Sequence, residues 1–125
     1  MRSCLKSLST SRPSVIHVDP ERARATPFGG TVAHGFLTMS LLAPMAFDPQ
    51  PTVAGRVMSV NYGFDRVRLM APVPREAGSG AVSCSRRWWN RGPKEIMAKT
   101  QVTVEIEGGD KPALVADWLG LSRFA

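Results

Sequence analysis

The sequence predicts an α+β domain in which antiparallel strands pack on one long apolar helix. Three observations carry this reading. Residues 34–47 are apolar at most positions, including Phe36, Leu37, Met39, Leu41, Leu42, Met45, Ala46 and Phe47. A helix that is apolar all round is expected to be buried, wrapped by a sheet. Residues 101–107 alternate cleanly, with Val102, Val104 and Ile106 on one side and Thr103 and Glu105 on the other, the period of a half-buried strand. The helical signals come first along the chain and the strand signals follow.

Each element has a local cause. Asp19 before Pro20 reads as an N-cap with proline at the first helical position. This starts a short helix over residues 20–25, closed by Thr26 and Pro27. Phe28, Gly29 and Gly30 form a turn able to take positive φ. The long helix spans residues 34–47, with Pro44 able to kink it near its end and the Asp48-Pro49-Gln50-Pro51 run stopping it. Residues 57–69 mix β-branched, aromatic and basic side chains as a strand does, ending before Pro72-Val73-Pro74. After the strand at 101–107, Gly108-Gly109-Asp110 is a turn, and residues 111–124 return as a final strand.

Residues 75–95, REAGSGAVSCSRRWWNRGPKE, break the pattern. A strand is needed here to pair with 101–107, yet the stretch offers Gly, Ser, paired Arg and paired Trp without alternation. It reads as a basic-aromatic surface loop able to stack on bases or phosphates, or as a strand-coding stretch translated in a shifted frame, with the fold signal resuming at Ile96.

The chain has 125 residues and 43% apolar content, enough for one core and one domain. Residues 15–125 are that domain. Residues 1–14 are an atypical N-terminal segment expected to be poorly ordered. The longest run without a polar residue among the helical positions is Leu41 to Phe47, seven residues, far short of a membrane span. The N-terminus is basic but has no apolar segment of secretory type. Its Ser and Arg without acids admit a transit peptide or a misassigned start. Cys4 and Cys84 lack metal-type spacing, so a reduced cytoplasmic pair is the default. The net charge of +6 sits mostly in residues 1–30 and 75–99, the latter with six basic and two acidic groups. The rest is nearly neutral, which argues against nucleic acid as the partner.

The stretch VIHVDPERARATPFGGTVAHGFLTMSLL, with its His-x-Asp-Pro, Pro-Phe-Gly-Gly and Ala-His-Gly-Phe-Leu-Thr motifs, closely resembles the MaoC-like dehydratases, the group related to (R)-specific enoyl-CoA hydratases. VNYGFDRVRLMAPVP and QVTVEIEGGDKPALVADWL are similar to later parts of that family. The likeness covers residues 15–74 and 96–120. It implies a hot-dog fold, an antiparallel β-sheet wrapped around a long central helix. It also implies a homodimer, with an acyl-CoA or acyl-carrier-protein thioester as substrate and no metal or other cofactor.

Adding water to a 2-enoyl thioester needs a base for the attacking water, an acid for C2, and hydrogen-bond donors for the thioester oxygen as it gains enolate charge. The resemblance makes His17 the catalytic histidine. It makes Gly35 the backbone N–H donor at the helix start, where the dipole favours negative charge, and Ser40 a serine supporting the site. Asp19 is a cap. His34 either caps the helix or lines the pocket, beside Phe36, and Asn61 and Tyr62 line the acyl tunnel. Arg66 and Arg68 could meet CoA phosphates or form a solvated strand face; Trp88 and Trp89 receive no role. One departure is serious. Five residues before His17, where the family places Asp, stands Arg12, whose guanidinium cannot exchange a proton in this range. The chain is also expected to begin after the family's N-terminal strand. The alternatives to a hydratase are a non-catalytic acyl-CoA-binding protein, a heterodimer subunit, and a basic nucleic-acid-binding module on residues 75–95.

Overall fold

The computed structural model describes residues 14–47 and 53–125. Two short helices, α1 (Val15–Val18) and α2 (Pro20–Arg24), lead to two more, α3 (Gly35–Ser40) and α4 (Leu42–Phe47). Four strands follow, β1 (Arg56–Leu69), β2 (Ser79–Gly92), β3 (Glu95–Ile106) and β4 (Leu114–Phe124). They form one antiparallel sheet in the order β1-β4-β3-β2.

The local signals act as expected in the helical part. The Asp19 carboxylate accepts the Arg22 N–H at 3.1 Å, capping α2, and Gly29 takes φ of +68° in the turn that follows. The long helix is interrupted, however. Its first half ends with a C-cap at Leu41, and α4 starts at Leu42. Pro44 supplies the cause. It has no N–H for the Ser40 carbonyl, and its ring crowds that same carbonyl four residues back. The break therefore falls a turn before the proline. The Asp48–Pro51 stop lies outside the described residues, as do residues 1–13.

The helices are not buried on all sides. Thr38 and Leu42 are buried, whereas Phe36 and Leu37 are 69% and 53% exposed. One four-stranded sheet covers only one side of a helix, so Phe36, Leu37 and Leu41 face outward while Met39 and Ala43 pack against the core.

Residues 75–95 are not a loop. Residues 79–92 form β2, paired along its length with β3, from Ser79 opposite Ile106 to Gly92 opposite Glu95. The segment lacks alternation because each face takes the same kinds of side chain: Arg86 and Trp88 point one way, Arg87 and Trp89 the other. Bulges between Ser83 and Ser85 and between Asn90 and Gly92 blur the period further.

The sheet's inner face consists of cross-strand rows. Val104–Leu114–Leu69 and Val102–Ala116–Val67 meet the helices. There Leu42 packs with Val104, Leu114 and Ala116, all at most 1% exposed, and with Val73 and Val102. The next rows, Arg86–Thr100–Trp118–Phe64 and Trp88–Ala98–Gly120–Asn61, run past the helices. Although β1 and β2 are opposite edges, the Arg91 guanidinium lies 4.6 Å from the Tyr62 ring, so the sheet is strongly curled. Truncating the centre of the core, Leu114→Ala, is expected to cost about 2–5 kcal/mol, read as a fall in the denaturant midpoint with an unchanged slope.

Candidate active site

The two histidines come together at one end of the core, held by residues 31–34. This segment runs beside residues 73–75, with Ala33 N–H to the Val73 carbonyl at 2.8 Å and Arg75 N–H to the Thr31 carbonyl at 3.1 Å. It also accepts the preceding helix, because Val32 N–H donates to the Ile16 carbonyl at 2.9 Å. The half-buried His17 ring Nδ1 lies 2.8 Å from the Val32 carbonyl oxygen. A carbonyl can only accept, so Nδ1 carries the proton and Nε2 keeps its lone pair.

His34 is the N-cap of α3. Its Nδ1 accepts the Phe36 N–H at 3.2 Å, so its neutral tautomer carries the proton on Nε2. The two rings sit 4.8 Å apart, tilted at 47°. One imidazole thus presents an acceptor at Nε2 and its neighbour a donor. His34 fills both roles that its sequence left open, capping the helix and standing beside His17.

Gly35 opens α3, and its N–H has no acceptor among the described residues. It borders a cleft of about 230 Å³ with Phe28, Thr38, Leu69, Met70 and Val73. A Cβ on Gly35 would run into the end of the Leu69 side chain. The missing side chain thus gives Leu69 its place over the helix start.

The other expected residues separate. Phe36 lies 5.8 Å from the His34 ring, within the cluster. Ser40 is exposed and its hydroxyl donates to the Leu37 carbonyl at 2.7 Å, a local bond of the kind common in helices. Asn61 and Tyr62 do not join the histidines within one protomer. Asn61 stands eight residues before Leu69 on β1, roughly 26 Å of extended strand. The Asn61 Oδ1 accepts the Trp118 indole N–H at 2.7 Å, and Trp118 stacks on Phe64 at 6.1 Å. Arg66 pairs with Asp117 at 3.6 Å. Arg12 lies outside the described residues. Among those residues no His, Cys, Asp and Glu cluster could hold a metal ion, and no helix is long and apolar enough to cross a membrane.

Residues 12–106 match the family described as MaoC like domain. The chain belongs to the MaoC-like dehydratase family. This MaoC-like chain is 47% identical over 113 residues to nodulation protein N of Rhizobium meliloti, covering 87% of the chain and 68% of that protein. It is 46% identical over 102 residues to 3-hydroxyacyl-thioester dehydratase Z of Mycobacterium tuberculosis, covering 82% and 67%. Among solved structures, the (R)-hydratase from A. caviae involved in PHA biosynthesis superposes with a TM-score of 0.65 at 19% identity, over 98% of this chain and 84% of that one. The MaoC-like dehydratase from Rhodospirillum rubrum also gives 0.65, at 16% identity, over 96% and 81%. The fold is the hot-dog fold, with the strand signals and apolar helix in the places that the resemblance implied.

Sequence reasoning gave Trp118 no role and missed its bond to Asn61. The signal was present: residues 114–122 alternate, and Trp118 falls on the same side as Leu114 and Ala116. Asn61→Ala should lower stability by about 0.5–1.5 kcal/mol and have little effect in a Trp118→Phe background, a double-mutant cycle read by urea unfolding.

Proposed function

We propose that this MaoC-like protein is an enoyl-CoA hydratase or, in the reverse direction, a 3-hydroxyacyl-thioester dehydratase. The observation that carries the reading is His17: Nδ1 pinned on the Val32 carbonyl, Nε2 without a hydrogen-bond partner among the described residues, and the ring 4.8 Å from His34, the residue that caps α3. In this reading the His17 Nε2 removes a proton from water as its oxygen bonds to C3. The Gly35 N–H holds the thioester oxygen as it gains charge, and the helix start favours that charge. C2 then takes a proton back, and the thioester carbonyl re-forms. Imidazolium at His17 returns the proton it took, and the neighbouring His34 ring, 4.8 Å away, offers a hydrogen-bond donor at Nε2. No metal or redox cofactor enters the step. The name of the mycobacterial relative, a 3-hydroxyacyl-thioester dehydratase, supports the substrate class.

A second reading, a non-catalytic acyl-CoA-binding protein or a heterodimer subunit, is favoured by Arg12 where the family's acid-base Asp stands. Ser40, spending its hydroxyl on Leu37, is a helix residue first in either case. We also assign the protein to the cytoplasm, a reduced pair being the default reading of Cys4 and Cys84, with neither nucleic acid nor membrane as partner. The outward Phe36, Leu37 and Leu41 support a homodimer, since exposed apolar groups on one helix face mark an interface.

Hydration of crotonyl-CoA, followed as loss of enoyl absorbance, is expected in the parent and should fall about 100- to 10,000-fold in His17→Ala. A silent parent that Arg12→Asp revives would identify a hydratase fold that has lost its acid-base partner; silence in both would favour the binding role. Phe36→Glu with Leu37→Glu should convert the dimer to monomer in sedimentation analysis, and an unchanged mass would remove that face as the interface.

A further inference from the structure

Beyond the helices, the inner face of the sheet continues as an open trough. Its floor is the row Trp88–Ala98–Gly120–Asn61. The two central residues are small, and a Cβ added at Gly120 would meet none of the described residues within 4 Å. The floor is therefore open and flat, with Trp88 half exposed on one side and the Trp118–Asn61 pair on the other. The enclosed part is only about 70 Å³, so a ligand lies along the trough rather than inside it.

The charges at this end are one-sided. Asp65 pairs with Lys99 at 2.6 Å, Glu95 with Arg123 at 2.7 Å and Asp117 with Arg66 at 3.6 Å. Those pairs stand on the opposite face, at the strand parity of Arg87 and Trp89. No acidic residue lines the trough, and Arg56, Arg86 and Arg91 have no acidic partner among the described residues. Arg56 and Arg86 line the trough. Arg86 is held in place: its Nε donates to Thr100 Oγ1 at 3.2 Å and its guanidinium covers the Trp88 ring at 5.2 Å. That bond leaves its two terminal nitrogens to point donors at an anion.

A flat slot of small residues beside an indole, flanked by the fixed Arg86 guanidinium and by Arg56, matches a planar heterocycle carrying phosphate. Aromatic side chains stack on nucleobases, and Arg pairs with phosphate oxygens through two parallel N–H bonds. We propose that this trough binds an adenosine phosphate, with the adenine over Gly120 and Ala98 and the phosphates at Arg86 and Arg56. The assignment of that nucleotide to the carrier end of an acyl-CoA rests on the hydratase reading. The site itself does not, since a free adenine nucleotide offers the same chemistry.

The test uses the full chain and adenosine 3′,5′-bisphosphate, followed by tryptophan fluorescence. Saturable quenching is expected in the parent. Gly120→Leu, which fills the slot, and Arg86→Gln should each weaken it tenfold or more. Arg87→Gln and Trp89→Ala, on the opposite face, should leave it within twofold. Arg86 is exposed, so its variant keeps the test valid if Gly120→Leu fails to fold. Absence of saturable binding, equal loss from Arg87→Gln, or equally tight binding of inorganic pyrophosphate would overturn the proposal. So would a single-stranded oligonucleotide that displaces the bisphosphate at a lower concentration. The source is read from kinetics: Arg86→Gln raising KM for crotonyl-CoA but not for crotonyl-pantetheine supports the carrier. Unchanged KM in an Arg86→Gln variant that has lost bisphosphate binding supports a free nucleotide at the same site. Binding without any turnover supports the site and removes the hydratase reading instead.

Discussion

The structure depends on Leu42 packing against Leu114, Val104 and Ala116. These side chains are almost fully removed from water, and burying one leucine of this kind is worth about 1.5–3 kcal/mol. This contact fixes where the helix pair crosses the sheet. From there the position of the helix start follows, because α3 runs directly into α4 with one residue between them. Gly35 comes to rest under Leu69 at the end of β1. The histidines follow from Gly35: His34 is bound to it in sequence, and His17 is tied to the same segment through the Val32 carbonyl.

That arrangement divides the inner face of the sheet by chemistry. The end covered by helices is apolar and carries the imidazoles and the first N–H of α3. The uncovered end is cationic and aromatic, with a floor of glycine and alanine. The chain's excess positive charge is consequently local. Residues 75–99 supply much of it, and the fold places most of that segment in β2 and the start of β3. Surface ion pairs such as Asp65–Lys99, Glu95–Arg123 and Asp117–Arg66 contribute little to stability. They stand on the face opposite the trough, whose lining holds Arg56 and Arg86 and no acid.

The tautomers of the two imidazoles also follow from backbone geometry alone. A carbonyl beside His17 and an amide N–H beside His34 require opposite protonation at Nδ1. The neighbouring rings therefore differ in what their Nε2 atoms offer. Neither ring needs a carboxylate to set its orientation, which matters in a chain with Arg at the position of the family's Asp.

The sequence by itself determined the elements whose causes are local. Asp19 and Pro20 dictate α2, and Gly29 the turn after it. The alternation at 101–107 dictates the core of β3, and the motifs around His17 and Gly35 dictate the family and the hot-dog fold. Tertiary structure alone decided the rest. β2 carries Arg and Trp on both faces, so no period marks it; it is a strand because the exposed edge of β3 needs hydrogen-bond partners. The long helix lost its full burial because one four-stranded sheet can cover only one side. Asn61 and Tyr62 stand far from the histidines because strand register, set by pairing with β4, carries them along the sheet. Residue type fixes what a side chain can do over a few neighbours, and register and crossing angle fix which distant side chain it meets.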